Sequence, residues 1–228
     1  MNQPIFVTGV ERSGSSLIAK IFELCGVHIG ATSKMYENLR INALMSKFLL
    51  PLQNGNLYPD IHDLSIPMNW SKKVQEILQA EGYVDGPWLV KSSKISQMWP
   101  VWNYAYPNAR WIIVRRRTGD VIESCVKTGY MQLFKDETKQ KAVGAKNEAE
   151  GWKWWIHQYE RRFVTMIEAG VNARVVWPER MVYGDYQQIY ETLDWLGLEW
   201  NDKIVETIDP LLKKNRRKEI WHTQRLTK

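Results

Sequence analysis

The stretch that most constrains the fold is Ile5 to Gly26, which reads IFVTGVERSGSSLIAKIFELCG. A short apolar run, Ile5 to Val7, leads into a loop rich in glycine and serine, and an apolar stripe of helical spacing follows. Such a strand, loop and helix form a cradle for anions, because glycines let backbone amides approach an oxyanion and the first helical turn leaves its N–H groups unpaired. The residues expected to contact an anion are Gly9, Arg12, Ser13, Gly14, Ser15 and Ser16.

This loop differs from two common nucleotide-binding loops. Gly9 and Gly14 fit the first half of the P-loop G-x-x-x-x-G-K-[ST], but Ser15 occupies the position of its lysine. The dinucleotide fingerprint G-x-G-x-x-G fails because Glu11 stands at its second glycine. The cation is Arg12, inside the loop, and Glu11 is expected to orient it. A nucleotide or small-molecule kinase is an alternative that the missing lysine disfavours, and a turn that binds no ligand is another.

Length and charge narrow the class of protein. The 228 residues suit a single domain spanning 1–228. The net charge of +6, from 31 Lys and Arg against 25 Asp and Glu, favours an anionic ligand or surface without choosing among nucleotide, nucleic acid and sulfated glycan. A nucleic-acid-binding module is therefore an alternative of a different class. Long helices of balanced charge separate the basic clusters and no RNA- or DNA-binding motif occurs, so no nucleic-acid partner is predicted.

Three features bear on location. Cys25 and Cys125 fall in predicted core-facing helices without metal-ligand spacing, which indicates reduced thiols. No apolar run approaches the length of a membrane span. The first strand begins almost at the N-terminus, which leaves no room for a secretory signal. We therefore expect a cytoplasmic protein without a membrane span.

Strand and helix patterns alternate along the remaining chain. Further strands are predicted at Trp88 to Lys91, Arg110 to Val114 and Ala173 to Trp177. The lysine-rich stretch Lys135 to Lys146 is predicted to be a loop. Helices are predicted around Asn42 to Leu50, Ser71 to Glu81, Ile95 to Tyr106, Thr118 to Val126, Asn147 to Gly170, Tyr186 to Leu196 and Asp202 to Lys213. This alternation predicts a three-layer α/β fold, with a central parallel sheet and helices on both of its faces.

A second anion-binding motif lies in RWIIVRRRTGDVIES. Arg116 follows a predicted strand, and Ser124 lies roughly two helical turns later. Ligands of parallel sheets collect at the carboxyl ends of the strands, so Arg116 should emerge at the same edge as the Gly9 loop. Two anion sites at one edge suit a nucleoside that carries phosphates at both ends.

With these two motifs, the chain resembles the sulfotransferases that use 3′-phosphoadenosine 5′-phosphosulfate (PAPS), and particularly their small bacterial and phage members. VTGVERSGSS is similar to the 5′-phosphosulfate loop of that family, and Arg116, Asp120 and Ser124 match its 3′-phosphate motif. VVWPERM is similar to the strand and acidic turn before the family's late helix. The resemblance runs in order from Ile5 to about Gly197, and it implies a P-loop-nucleotide-hydrolase-like sulfotransferase fold.

The resemblance also implies an activity. A sulfuryl group would move from PAPS to a hydroxyl or amine acceptor, releasing adenosine 3′,5′-bisphosphate, and Arg12 would stabilise the charge that builds on the leaving oxygen. No metal is expected, because a sulfuryl group carries less charge than a terminal phosphoryl group. The acceptor stays open among small molecules, glycans and peptides, and so does the oligomeric state. Arg216 and Arg217 resemble a basic C-terminal segment that reaches the 3′-phosphate in some members.

The general base is assigned by the same resemblance. Lys91 corresponds to the lysine that ends the second strand of the cytosolic aryl sulfotransferases and is a predicted catalytic residue, but Ser93 replaces their histidine base. Branches that act on tyrosine or glycosaminoglycans use a glutamate shortly after the first helix. Glu37 lies in that region and is the predicted base, with His28 and His62 as alternatives.

Overall fold

The fold is built on a four-stranded parallel sheet, in a computed structural model that describes residues 4–52, 56–129 and 131–208. The strands are β1 (Ile5–Thr8), β2 (Leu89–Lys91), β3 (Arg110–Val114) and β4 (Ala173–Val176). Their order across the sheet is β2-β1-β3-β4, and each neighbouring pair is parallel. All of the strands therefore end at the same edge, as predicted.

Helices connect the strands and cover both faces of the sheet. The bounds are α1 Ser15–Leu24, α2 Leu39–Leu49, α3 Trp70–Ala80, α4 Lys94–Gln97, α5 Trp99–Ala105, α6 Thr118–Lys127, α7 Glu137–Ala142, α8 Glu148–Glu168, α9 Pro178–Val182 and α10 Gln187–Leu196. Residues 203–208 are also helical. Of the helices in the described ranges, none combines the length and apolar character that crossing a bilayer requires.

Side-chain alternation along the strands produces two separate cores. Phe6 and Trp111 point into a large aromatic core beneath α2, α3, α5, α6 and α8. Their chain neighbours Val7 and Ile112 point into a smaller aliphatic core beneath α1 and α10. Successive residues of a strand face opposite sides, so a strand that is apolar at every position is covered on both faces. The predicted three-layer α/β architecture is confirmed.

Two local predictions differ from the structure. The segment Lys135 to Lys146, predicted to be a loop, contains helix α7, because Asp136 caps it by accepting a hydrogen bond from the Thr138 N–H at 2.9 Å. The helix predicted over Ile95 to Tyr106 is divided into α4 and α5, with Pro100 in the first turn of α5. A proline is tolerated there because a first-turn N–H has no intrahelical partner.

Candidate functional site

A cavity of about 390 Å³ opens at the carboxyl edge of the sheet. Its floor is the loop between β1 and α1, and the residues that follow β2 and β3 reach it from the two neighbouring strands. Besides the loop residues, it is lined by Met35, Glu37, Lys91, Ser93, Arg116 and Met131. The structure thus brings together the first predicted anion motif, Arg116 of the second, and the predicted catalytic residues.

The backbone of the loop is tightly constrained. A Cβ atom on Gly9 would lie 2.5 Å from the Val114 carbonyl oxygen, so only glycine fits there. Gly14, at the start of α1, has a φ of 96°. Within the described part of the chain, the non-glycine residues with positive φ are Arg12 (69°) and Tyr36 (59°), and both lie at this cavity or beside its lining residues. Strained backbone of this kind, costing about 1–3 kcal/mol per residue, concentrates at ligand sites.

The two anion motifs meet through Arg12. Its Nε donates a hydrogen bond to Ser124 Oγ on α6 at 2.9 Å, although 112 positions separate the residues in sequence. Arg116 Nη1 donates to the Arg12 carbonyl oxygen at 3.4 Å. Arg12, Arg116 and Ser124 therefore form one cluster, which the sequence had predicted only as two sites on a common edge.

The arginines on either side of Arg116 are held by other partners. Arg115 Nη2 lies 2.6 Å from Oε2 of Glu160, on α8, and the Arg115 guanidinium lies over the ring of Trp177. Arg117 is largely exposed and lies 3.9 Å from Glu179. Arg116 is the member of this triplet that lines the cavity, as the motif predicts.

The predicted serine ligands have different surroundings. Ser15 lines the cavity at the start of α1. Ser16 also lines it, and its hydroxyl donates to the Met35 carbonyl oxygen at 3.0 Å. Ser13 is buried, with its Oγ only 2.6 Å from where a Cβ on Gly9 would lie, so its side chain packs beneath the loop. Of the three serines, Ser15 and Ser16 are therefore the ones that reach the cavity.

Lys91 and Glu37 form an ion pair inside the cavity. Lys91 Nζ lies 3.4 Å from Glu37 Oε1 and donates to the Met35 carbonyl oxygen at 3.0 Å. The Lys91 side chain is only 8% exposed, against 25% for Glu37. Burial lowers the pKa of Lys91, and the Glu37 carboxylate acts in the opposite direction. Glu37 also accepts a hydrogen bond from Asn42 Nδ2 at 3.3 Å.

The sequence did not predict the hydrogen-bond network around Glu11. Its carboxylate accepts hydrogen bonds from Ser93 Oγ at 2.7 Å, from Trp155 Nε1 at 2.8 Å and from the Tyr159 hydroxyl at 3.4 Å. Burial raises the pKa of Tyr159 well above its usual value, which keeps the phenol protonated as a donor. No local signal in the sequence marks the polar atoms of Trp155 and Tyr159, both on α8, as partners of a loop carboxylate.

Some predicted residues lie away from the cavity. His28 forms a β-bridge with Trp88 just before β2, at the opposite edge of the sheet. His62 lines a separate cavity of about 510 Å³ beside α8. Arg216 and Arg217 lie outside the described residues. In the part of the chain that the structure describes, His, Cys, Asp and Glu form no group of three or more that could hold a metal ion.

Comparison with known proteins bears on the fold. No protein-family model and no curated protein sequence matches the chain. Solved structures do match, and one is the crystal structure of sulfotransferase STF1 from Mycobacterium tuberculosis H37Rv. The match has a TM-score of 0.50 at 14% sequence identity, and it covers 92% of this chain and 71% of that one. The chain therefore has a fold similar to that of this sulfotransferase, as the sequence predicted.

Proposed function

We propose that this chain transfers a sulfuryl group from PAPS to a hydroxyl or amine acceptor and releases adenosine 3′,5′-bisphosphate. The observation that carries the proposal is the hydrogen bond between Arg12 and Ser124. It joins the loop after β1 to the helix after β3, which supports a single site formed by the two predicted anion motifs. A ligand with phosphates at the 5′ and 3′ positions of one nucleoside matches two adjoining anion sites.

The residues present fit such a co-substrate. Arg12, Lys91 and Arg116 bring positive charge to one cavity, and the loop that leads into α1 ends at a helix N-terminus, where backbone amides can bind an oxyanion. The loop would hold the 5′-phosphosulfate, and Arg116 with Ser124 would hold the 3′-phosphate. PAPS supplies an activated sulfuryl group when it is bound.

The side chains at the cavity have separate roles in the proposed reaction. Arg12 stabilises the negative charge that develops on the leaving bisphosphate, and Ser124 orients its guanidinium. Lys91 adds a buried ammonium to the same cavity. Glu11 and Glu37 also line the cavity and are the candidates for the base, of which the resemblance favours Glu37. The acceptor would be a small molecule, a glycan or a peptide. Because Cys25 and Cys125 are free thiols, we propose a cytoplasmic location.

Ligand-dependent stabilisation tests the proposal without knowledge of the acceptor. Adenosine 3′,5′-bisphosphate at 100 times its dissociation constant should stabilise the fold by about 2.7 kcal/mol, or about 5 to 11 °C in Tm. AMP, which lacks the 3′-phosphate, should give a clearly smaller shift at the same concentration, and Mg²⁺ should not be required. Equal shifts for the two nucleotides would argue against the second anion site. A shift with ATP that needs Mg²⁺, without one for the bisphosphate, would favour the kinase.

A further inference from the structure

The geometry points to Glu11, rather than Glu37, as the group that takes the proton of the acceptor. This inference rests on the proposed function and adds a catalytic residue to it. Glu11 lines the same cavity as Arg12 and Lys91, and its carboxylate accepts a hydrogen bond from Ser93, which lines the cavity too.

The Glu11 carboxylate is held by neutral donors from two parts of the fold. Ser93 reaches Oε1 from the end of β2, and Trp155 reaches Oε2 from α8. Tyr159, which also donates to Oε1, accepts a hydrogen bond from Gln97 Nε2 at 2.6 Å. A carboxylate fixed in this way keeps one orientation, which acid–base catalysis requires.

Glu37 has a different task in the same cavity. It is ion-paired with Lys91, whose side chain is almost fully buried. If Glu37 took up a proton, the Lys91 ammonium would lose the negative charge beside it. Burial already disfavours this ammonium, because it lowers the pKa of Lys91. Glu37 is therefore better suited to serve as the counter-ion of Lys91 than to exchange a proton in every turnover.

The other groups around Glu11 do not compete for the proton. Burial raises the pKa of Cys125 to about 12, and it also raises the pKa values of Tyr58 and Tyr159, so these groups stay protonated near neutral pH. The charged groups that share the cavity with Glu11 are Arg12, Glu37, Lys91 and Arg116.

Each bond that forms in the proposed transfer replaces one that breaks. The acceptor oxygen forms a bond to sulfur while the bond between sulfur and the 5′-phosphate oxygen breaks. The acceptor O–H bond breaks and its proton passes to Glu11, and the electron pair of the breaking S–O bond leaves with adenosine 3′,5′-bisphosphate. Glu11 then returns the proton to solvent.

Turnover of wild type, Glu11→Gln and Glu37→Gln tests the assignment. The substrates are PAPS and a hydroxyl acceptor found by mass spectrometry in a screen of extracts. Glu11→Gln should lower kcat by about 10²- to 10⁴-fold and abolish the acidic limb of the pH–rate profile, with bisphosphate affinity unchanged. Glu37→Gln should keep the acidic limb. If instead Glu37→Gln loses that limb and Glu11→Gln keeps it, Glu37 is the base.

The indole resonance of Trp155 provides a readout that is independent of activity. Its Nε1–H donates to Glu11, so its ¹⁵N–¹H signal, assigned by its loss in Trp155→Phe, should move as Glu11 takes up a proton. The same titration should disappear in Glu11→Gln. A signal that does not move over the acidic limb of the wild-type pH–rate profile would overturn the inference, even if Glu11→Gln fails to fold. If the wild type binds the bisphosphate and transfers the sulfuryl group, and Glu11→Gln turns over at the same rate, only the inference about Glu11 is refuted. Failure of the wild type to do either would refute the proposed function.

Discussion

Gly9→Ala tests whether the loop has the close packing on which the site depends. The added Cβ would lie 2.5 Å from the Val114 carbonyl oxygen, 2.6 Å from Ser13 Oγ and 3.3 Å from Val114 Cβ. Ser13 has few ways to move because it is buried beneath the loop. Val114 is the last residue of β3 and is paired with Val176 of β4, so its carbonyl belongs to the sheet backbone. The loop must therefore shift.

The size of the effect follows from this contact. Forcing one methyl group against a rigid backbone costs about 1–3 kcal/mol, which lowers Tm by about 2 to 12 °C in a chain of this size. A shifted loop also carries Arg12 away from Ser124, so the affinity for adenosine 3′,5′-bisphosphate should fall as well. Gly119→Ala is the matched control. It lies in α6, its φ is not positive, and a Cβ there meets nothing within 4 Å. It should be neutral or stabilising by up to about 1 kcal/mol.

Thermal unfolding and calorimetric titration with the bisphosphate measure both effects on the same samples. A Gly9→Ala variant that unfolds at the wild-type temperature and binds the bisphosphate with wild-type affinity would refute the close packing of this loop. A Gly119→Ala variant that loses as much stability as Gly9→Ala would refute it equally, because the loss would then not come from the contact with Val114.

Three further predictions concern individual side chains. Arg116→Ala should weaken bisphosphate binding by about 1.5–3 kcal/mol and Ser124→Ala by less, with little change for AMP; calorimetry that shows equal losses for AMP would contradict this. Arg12→Ala should lower kcat by about 10²- to 10³-fold and Arg12→Lys by less, since lysine keeps the charge but loses the fork-shaped geometry; steady-state rates near wild type would remove Arg12 from the chemistry. The pKa of Lys91 in the folded state is lowered from about 10.5, so folding favours its neutral form and the free energy of unfolding should rise as the pH increases toward 10.5. Urea unfolding over this pH range should show the free energy of unfolding rising in wild type but not in Lys91→Met. The same pH dependence in both proteins would contradict a lowered pKa for Lys91.

The features that the sequence predicted correctly have local signals. Arg110 to Val114 is an apolar run of strand length, and the structure has β3 with the same bounds. Gly9 and Gly14 mark a turn between a strand and a helix, and parallel pairing then brings Arg116 to the same edge. Each of these inferences needs only a short window of residues and the general rules for parallel sheets.

The features that were missed depend on contacts between distant residues. Ser93 and Trp155 meet Glu11 across 82 and 144 positions, so only the assembled fold makes them its partners. The hydrogen bond between Arg12 and Ser124 has the same origin. Helix α7 was missed for a different reason. Its six residues, ETKQKA, carry no apolar stripe. Its local signals are the capping aspartate before it, the acidic Glu137 in its first turn and the lysines in its last turn.

The transfer of an isotopically labelled sulfuryl group from PAPS tests the proposed function directly. Purified protein, labelled PAPS and an extract fractionated by polarity are incubated without added metal, and the products are identified by mass spectrometry. The proposed function predicts a sulfated acceptor and a matching amount of adenosine 3′,5′-bisphosphate, both strongly reduced with Arg12→Ala. If labelled PAPS stays intact with every fraction, and if the bisphosphate does not stabilise the protein, the proposed function is contradicted.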